Sequence, residues 1–458
     1  MDFLNVNIPI KNKPVLDEGF VPLGLFFKHF EENATKPVVI AVERTNGLIG
    51  RYDAKIFGTE EMKEADCYYI DRLVKMLLWA KGGFKVYVCG DETVGEYIKE
   101  TYRIGGKRHF DADFMARIYE STFEVIVLPL DKAPEAKEAA KAIGGHMDGC
   151  RIGFDAGGSD RKVSAVIDGE CVYSEEVVWF PKITEDPDYH YGHIVEAMKT
   201  AASKMPRVDA IGISSAGVYV DNRTMSASLF IKVPQDLFDA KVKDIYTRAA
   251  AEFGDVPVEV VNDGDVTALA GAIGLGDNAV LGIAMGTSEA VGYVNDEGKI
   301  MGWLNELAFA PVDGQPEAME DEWSGDIGCG VKYFSQDSVI KLAPRAGIEL
   351  TGNSPAEKLK EVQALMAADD ERAVKVYESI GTYLGHTLPL YAMFYDIRHV
   401  LMLGRVMSGK GGDIIMAVAD KVMTEEYPDI KFRPETPDEK TRRVGQSVIA
   451  ASLPEIKK

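Results

Sequence analysis

The sequence predicts an α/β protein with two lobes and a cleft between them, preceded by a smaller α/β region. The first observation is length, because 458 residues exceed what one hydrophobic core usually organises. The second is composition, since 46% hydrophobic and 27% charged residues are ordinary values for a globular protein. The third is order. From Arg151 onwards the segments run β-β-β-α-β-α and a second β-rich stretch follows, which indicates two packed sheets.

The first 150 residues are predicted to form an extension and a small domain. Residues 1–36 are expected to be irregular, with one short helix over 23–32. Residues 37–150 are expected to be an additional α/β domain, whose first two strands flank Asn46-Gly47, a strong hairpin signal. An amphipathic helix over Asp66–Lys81 follows, and a buried strand, a capped helix and another strand complete the domain.

The region 151–458 is predicted to contain both lobes. Three strand-like runs lead to a helix over 192–205, a fourth strand over 209–217, a helix over 235–254 and a strand that ends at Val261. A β meander over 279–303, a long helix over 369–395, a strand over 399–404 and a terminal helix follow. The predicted first lobe comprises 151–262 with the helix 437–452, and the predicted second lobe comprises 263–436.

Charge and cysteine content exclude several classes of protein. The chain has 51 Lys and Arg against 73 Asp and Glu, a formal net charge of −22, whereas surfaces that bind nucleic acid or anionic membranes need clustered basic residues. The five cysteines are scattered without a C-x-x-C pair, which indicates reduced thiols in the cytosol. No signal sequence and no run of about 18 apolar residues occurs, so we expect a soluble cytoplasmic protein with no nucleic-acid or membrane partner.

Two glycine-containing turns between strands could each bind an anion. In FDAGGSDRK (154–162) a strand turns through Gly157 and Gly158, so that backbone N–H groups and the Ser159 hydroxyl can meet an anion. IAMGTSEAVGYV (283–294) repeats this arrangement with Gly286 and Thr287. Neither is a P-loop, because no G-x-x-x-x-G-K-[S/T] occurs and no helix begins there. Each turn could also be a plain tight hairpin, but the pair would suit a nucleotide held across a cleft.

The stretch VEVVNDGDVTALAGAIG (258–274) places acidic residues where a strand passes into a helix. Free N–H groups and the dipole at a helix start keep a carboxylate ionised and fixed in direction. Asp263 can therefore be a helix N-cap or a reactive carboxylate. Asp265, in the first helical turn, is interpreted as a complement to the helix dipole.

In chain order, these motifs resemble the ROK family of bacterial sugar kinases and sugar-responsive repressors, in the actin/hexokinase superfamily. GFDAGGSDRKVSAV is similar to the first phosphate hairpin, and VVNDGDVTALAGA to the ROK Asn-Asp signature. GIAMGTSEAVGYV, MGWLNELAFAPVD and residues 377–408 occupy the places of the second phosphate loop, the sugar motif and the segment that closes over adenosine. The resemblance covers about 151–458. It implies a two-lobed actin/hexokinase-like (ribonuclease H-like) kinase fold with an additional N-terminal α/β domain.

The resemblance implies ATP- and Mg²⁺-dependent phosphorylation of a sugar or polyol hydroxyl by a homo-oligomer, specifically a homodimer. Asp263 would be the general base, and one aligned carboxylate is sufficient because phosphoryl transfer needs mainly positioning and charge neutralisation. Asn262 and Glu306 would contact the acceptor, and Gly404 would lie near adenosine. The residues implied in binding the ATP phosphates are Asp155, Gly157, Gly158, Ser159, Gly286 and Thr287.

The sequence departs from the ROK pattern at the sugar motif and at the second loop. Ala308 and Phe309 stand where the family has Gly and His, and a later loop retains only Cys329 and its following glycine, so we expect no metal and no structural zinc there. Glu289 lies in the second loop, where its carboxylate would repel polyphosphate unless it points away or meets Mg²⁺.

Other features leave alternatives open. His190 and His193 have ligand-like spacing without a Cys or acidic partner, and we interpret them as a solvated helix start. The altered sugar motif permits a second hypothesis, a non-catalytic sugar or metabolite sensor on the same scaffold. A DNA-binding repressor is disfavoured because residues 1–150 lack a basic recognition helix. That region could serve in dimerisation, cover the sugar site or be a degenerate copy of the first lobe.

Overall fold

The computed structural model describes residues 1–138, 143–437 and 445–456. Two compact units make up the chain. Unit 1 contains Met1–Ala139, Ile283–Val291 and Trp303–Thr436, and unit 2 contains Ala140–Gly282, Gly292–Gly302 and Pro437–Lys458. The predicted domain bounds, which separate residues 1–150 from both lobes, stay a prediction. Among the described residues, no helix has the length and apolar character needed to cross a membrane.

The N-terminal part of unit 1 is built around a four-stranded sheet of order β4-β3-β5-β6. The strands are β1 (Asp2–Phe3), β2 (Val6–Asn7), β3 (Lys36–Glu43), β4 (Ile49–Ile56), β5 (Lys85–Cys89) and β6 (Glu124–Leu128), and the helices are α1 (Leu23–Asn33), α2 (Lys63–Lys81), α3 (Glu92–Thr101) and α4 (His109–Ile118). Strands β3 and β4 pair antiparallel, which confirms the hairpin predicted around Asn46-Gly47. Helix α2 ends at Gly82, whose φ of 83° suits glycine.

Unit 2 contains a five-stranded sheet of order β13-β10-β7-β8-β9. Its strands and two further short ones are β7 (Cys150–Ala156), β8 (Asp160–Ile167), β9 (Glu170–Val178), β10 (Ala210–Ser215), β11 (Val218–Val220), β12 (Arg223–Ser226) and β13 (Val258–Asn262), and its helices are α5 (Pro187–Ala202), α6 (Gln235–Leu237), α7 (Ile245–Ala251) and α8 (Asp263–Leu275). Strand β10 is parallel to both β7 and β13, whereas β7, β8 and β9 form antiparallel hairpins. These observations confirm the β-β-β-α-β order.

One predicted helix of unit 2 is wrong as a continuous element. The segment 235–254 contains α6, a π-helical turn over Phe238–Val242 and then α7. The interruption occurs where the Lys243 carbonyl accepts a hydrogen bond from Thr224 N–H (2.8 Å) instead of continuing a helical ladder. Phe238 and Val242 are both buried, so the π-turn still contributes apolar side chains to the core of unit 2.

Both faces of the unit 2 sheet are covered, which explains its fully buried β7 and β10. Side chains such as Phe154 and Ile213 pack with helices α5 and α7 on one face. On the other face lies α13 (Gln446–Ala451), the described part of the helix predicted over 437–452; residues 438–444 lie outside the described residues. It approaches the strands closely, because a Cβ on Gly153 would lie 1.7 Å from Ser447 O.

The remaining elements lie in the C-terminal half of the chain and belong largely to unit 1. They are β14 (Val280–Met285), β15 (Glu289–Val294), β16 (His399–Leu403) and β17 (Pro434–Glu435), with α9 (Gln336–Arg345), α10 (Pro355–Ala367), α11 (Glu371–Tyr391) and α12 (Gly409–Glu426). The strands form a sheet of order β15-β14-β16-β17. The long helix predicted over 369–395 and the strand over 399–404 are confirmed. The meander predicted over 279–303 is too long, because β15 ends at Val294 and an isolated bridge to Ile300 takes the place of a further strand.

Candidate active-site residues

In unit 2, three parallel strands end at one edge of the sheet. Asp155 on β7 pairs with Ser214 on β10, and the next residue of β10, Ser215, pairs with Asn262 on β13. In open α/β sheets, ligands bind outside the carboxyl ends of the strands. This register therefore brings the first candidate hairpin and the Asn262-Asp263 junction to the same edge, as the motifs require.

Asp155 is a buried carboxylate close to a second one. Only 4% of its surface is exposed, and burial raises the pKa of its carboxyl group to about 6. The negative charge of Asp263 also raises this pKa, so the two groups interact. Gln446 of α13 holds Asp155 in place. With its amide oxygen accepting from Thr267 Oγ1 (2.8 Å), its nitrogen donates to Asp155 Oδ1 (3.1 Å) and Oδ2 (3.3 Å).

Asn262, not Asp263, is the N-cap of helix α8. Asn262 Oδ1 accepts from Gly264 N–H (2.7 Å), and Nδ2 donates to Gly217 O (2.7 Å). One amide hydrogen and one oxygen lone pair of Asn262 remain for a ligand. The N-cap interpretation of Asp263 is therefore wrong, since it is the first helical residue. Burial raises the pKa of the Asp263 carboxyl group, and backbone N–H groups of the first turn act in the opposite direction.

The first glycine hairpin is fixed by a tryptophan from the end of β9. Trp179 Nε1 donates to Gly157 O (2.8 Å), and Trp179 N–H donates to Ser159 O (3.2 Å). Trp179 thus satisfies the carbonyl groups of both Gly157 and Ser159, so neither carbonyl is available to a ligand. Gly158 and Ser159 are exposed at the tip, where Ser159 Oγ donates to Asp160 Oδ2 (2.9 Å).

In unit 1, the second loop meets the turn after β16. Gly404 has φ 96°, and a Cβ there would lie 2.3 Å from Met285 O, so only glycine fits. The following residue, Arg405, donates through Nη2 to Thr287 Oγ1 (3.3 Å). The structure therefore brings Gly286, Thr287 and Gly404 together, while their roles in binding phosphate and adenosine stay predictions. It also adds Arg405, an exposed cation of the segment 377–408 to which the sequence assigned no role.

Glu289 points into the core of unit 1, away from the exposed loop tip at Thr287 and Ser288. Its Oε1 accepts from Tyr391 O–H (3.2 Å), while Oε2 has no hydrogen-bond partner among the described residues. Burial raises the pKa of the Glu289 carboxyl group to about 8, and the charge of Glu306 contributes in the same direction. Because the group is neutral at pH 7, the repulsion of polyphosphate considered for this loop does not arise.

Glu306 begins a short 3₁₀ turn that packs on the N-terminal part of unit 1. Its N–H donates to Trp79 O (2.9 Å), and the ring of Phe309 in the same turn packs at a tilt against the Trp79 ring, with centroids 4.4 Å apart. Phe110 adds a third ring, 5.7 Å from Phe309. The phenylalanine at the place of the expected histidine thus belongs to an aromatic cluster with α2 and α4.

A cleft of about 500 Å³ in unit 1 is separate from these residues. Its lining comes from α1, β4, the end of α11 and the segment after α12. The lining residues are Gly24, Lys28, Glu31, Glu32, Asp53, Lys55, Pro389, Met393, Tyr427, Asp429 and Ile430. Because it includes none of the predicted site residues, this cleft does not bear on their roles.

No family model and no curated protein matches the sequence, but solved structures do. The ROK hexokinase from Thermus thermophilus is similar over 66% of this chain and 96% of that chain, at 18% identity and a TM-score of 0.52. This chain has the ROK kinase fold. A ROK family glucokinase from Streptomyces griseus (19% identity, 66% and 98% covered, TM-score 0.47) and a ROK family transcriptional regulator, a homolog of the E. coli MLC protein (17%, 67% and 79%, 0.48), are also similar. The match confirms the predicted fold class.

On this ROK fold, the one retained cysteine lies beside a buried ionic cluster. Cys329 Sγ is 4.0 Å from Asp326 Oδ2, and burial raises the pKa of its thiol to about 12. Asp326 forms ion pairs with Arg72 (3.0 Å), Lys75 (3.3 Å) and Arg108 (2.6 Å). Across the described ranges, no group of three or more His, Cys, Asp or Glu side chains could hold a metal ion. The absence of structural zinc stays a prediction.

Proposed function

We propose that this chain is a ROK family kinase that transfers the γ-phosphate of ATP to a hydroxyl group of a sugar or polyol. The observation that carries the proposal is the edge of the unit 2 sheet. There Asp155 and Asp263 interact electrostatically, and the exposed tip Gly158-Ser159 closely follows Asp155 in the chain. A carboxylate that can accept a proton and a glycine hairpin that can position phosphate together suit phosphoryl transfer, which needs mainly positioning and charge stabilisation.

In this mechanism Asp263 accepts the proton of the acceptor hydroxyl while that oxygen attacks the γ-phosphorus and ADP departs. The raised pKa of Asp263 makes it a stronger base. Backbone N–H groups of the first helical turn favour the charged form of the carboxyl group and so oppose the effect of burial on its pKa. Helix α8 fixes the direction of the carboxylate, since Asp263 is its first residue. Asn262 and Glu306 would contact the acceptor.

The donor set of unit 2 fits Mg²⁺, because two interacting carboxylates offer the hard oxygen ligands that this ion prefers. Asp155 would hold the ion, which would neutralise charge on the phosphate oxygens. The backbone of Gly157 and Gly158 and the Ser159 hydroxyl would bind phosphate. In unit 1 we assign phosphate contacts to Gly286 and Thr287, and an adenosine contact to Gly404.

The test is Asp263→Asn, assayed by ADP release with a panel of sugars, amino sugars and polyols. Loss of the general base should reduce turnover by at least about 100-fold and leave ATP binding intact. Asp255→Asn, at an exposed aspartate of the same unit, is the matched control and should retain activity. Wild-type turnover by the Asp263 variant would refute the assignment.

A second candidate function is a non-catalytic sugar or metabolite sensor. The aromatic packing of Phe309 on Trp79 favours it, because this side chain cannot hydrogen-bond a sugar hydroxyl as the expected histidine would. Saturable sugar binding by the wild-type chain without ADP release would support the sensor, whereas turnover of any panel member would exclude it.

A further inference from the structure

A short turn after β9 places a lysine at the tip of the first glycine hairpin. The 3₁₀ turn Pro181–Ile183 carries Lys182, whose side chain reaches the hairpin. A Cβ built on Gly158 would lie 2.8 Å from Lys182 Cε and 2.9 Å from Lys182 Nζ. The ammonium group is therefore in contact range of the Gly158 backbone, and any larger residue at 158 would displace it.

The turn that carries Lys182 is held rigidly on both sides. Trp179, three residues earlier, donates two hydrogen bonds to the hairpin carbonyls. His190 of α5 lies with Nε2 3.0 Å from Pro181 O and Nδ1 3.1 Å from Asp186 O. His190 is completely buried, so its interpretation as part of a solvated helix start is wrong. The histidine instead anchors the turn to the helix.

Among the described residues, no counter-ion compensates the charge of Lys182. Over the ranges 1–138, 143–437 and 445–456, no carboxylate lies within ion-pair distance of Lys182 Nζ. The other lysine near the hairpin, Lys162, is paired with Asp160 (Nζ to Oδ1, 3.2 Å). Lys182 is thus an exposed, unpaired ammonium group beside two exposed residues of a glycine hairpin, Gly158 and Ser159. An anion bound to the hairpin N–H groups would find its counter-charge there.

We propose that Lys182 is a phosphate-binding residue, which contacts oxygens of a polyphosphate chain held by the hairpin Gly157–Ser159. The inference rests on the proposed nucleotide-binding function and adds a residue from outside every motif that suggested it. Lysine acts here as a point charge on a flexible stem, and it can follow the phosphate as charge moves during transfer. The need for space around its ammonium group accounts for glycine at 158.

The experiment measures binding of ATP, inorganic tripolyphosphate and adenosine to the full-length chain by calorimetry. Lys182→Met should weaken ATP and tripolyphosphate binding about tenfold, which is the expected loss of one charge-assisted hydrogen bond, and should leave adenosine binding unchanged. Lys182→Arg should restore most of the affinity. Lys232→Met, at an exposed lysine of the same unit, controls for the general loss of a positive charge and should bind ATP as the wild type does.

A double-mutant cycle with Gly158→Ala tests the geometry. Its methyl group should displace Lys182, so the substitution should weaken ATP binding in the wild type and have little further effect in the Lys182→Met background. Equal ATP affinities for wild type and Lys182→Met, or equal losses in the Lys182 and Lys232 variants, would overturn the inference and leave the kinase proposal standing. Lysine-dependent tripolyphosphate binding without turnover would support the inference and overturn the kinase. A wild-type chain that binds neither ligand would overturn both.

Discussion

Replacing Glu289 by glutamine should stabilise the protein increasingly as the pH rises. The Glu289 carboxyl group has a pKa of about 8 in the folded chain, against an ordinary value of 4.5. The folded state therefore binds more protons than the unfolded state between these two pKa values. Stability contributed by the neutral carboxyl is present below pH 4.5 and is lost progressively as the pH rises towards 8. A glutamine side chain at this position has no such proton to lose and is spared this loss.

The size of the effect follows from the pKa shift. One pKa unit corresponds to about 1.4 kcal/mol, so the loss reaches roughly 3 kcal/mol at pH 7 and about 5 kcal/mol above pH 8. The burial of Glu289, with 3% of its surface exposed, justifies an estimate without solvent screening. Entry of water to the unpaired Oε2 atom would reduce the loss, which makes these values upper limits.

The assay is urea unfolding of the wild type and Glu289→Gln at pH 5, 6, 7 and 8. The difference in free energy of unfolding should shift in favour of the variant by about 1 kcal/mol per pH unit. Comparison across pH removes the constant effect of replacing O–H by NH₂. Glu317→Gln, at an exposed glutamate of unit 1, should show a difference that does not change with pH. A constant or shrinking difference for the Glu289 variant would refute the reasoning.

Besides those at Asp263 and Lys182, two further substitutions test the buried ionic cluster around Asp326 and a close contact between a strand and helix α8. Asp326→Asn should lower the free energy of unfolding in urea by about 3–5 kcal/mol, because it leaves buried cations without their shared carboxylate. The control, Asp131→Asn at an exposed residue, should change this free energy by no more than about 0.5 kcal/mol. Equal losses in the two variants would argue against the ionic cluster. Gly292→Ala should lower both the free energy of unfolding and turnover, because its Cβ would lie 2.0 Å from Gly264 O in the helix that carries Asp263. Gly192→Ala, with nothing within 4 Å, is the control, and similar losses there would contradict the steric reason.

The sequence could predict the strand-helix order, because alternating or continuous apolar runs define strands. It linked Asp155 and Asp263 only through the resemblance to the ROK family, which assigns both residues to one reaction. The sequence also shows the glycines of both hairpins. Their predicted role in binding phosphate rests on the order of the motifs along the chain, and not on any single motif.

Other contributors could not be found in this way. Gln446 contacts Asp155 from a helix distant in sequence, and Lys182 reaches the hairpin from a turn outside its motif. Arg405 directly follows Gly404, but its contact with Thr287 joins two segments that are 118 residues apart. The prediction that His190 is solvated is wrong because it assumes an exposed helix start, whereas the His190 ring packs against Phe230, with centroids 4.8 Å apart. The prediction of one continuous helix over 235–254 is wrong for a related reason, because the hydrogen bond that interrupts it comes from Thr224 of strand β12.

The packing of Trp79 on Phe309 affects how the chain could be divided. The similarity to the Thermus hexokinase covers 66% of the chain, and the motifs that resemble the ROK family cover about 151–458, so the motif-bearing region could be taken for a self-sufficient module. A protein shortened to that module would expose the Phe309 ring, and Asp326 would lose its ion pairs with Arg72, Lys75 and Arg108. Any attempt to express that module alone, or to exchange it with the corresponding part of a relative, therefore has to include the first 138 residues or redesign the surface that their removal exposes.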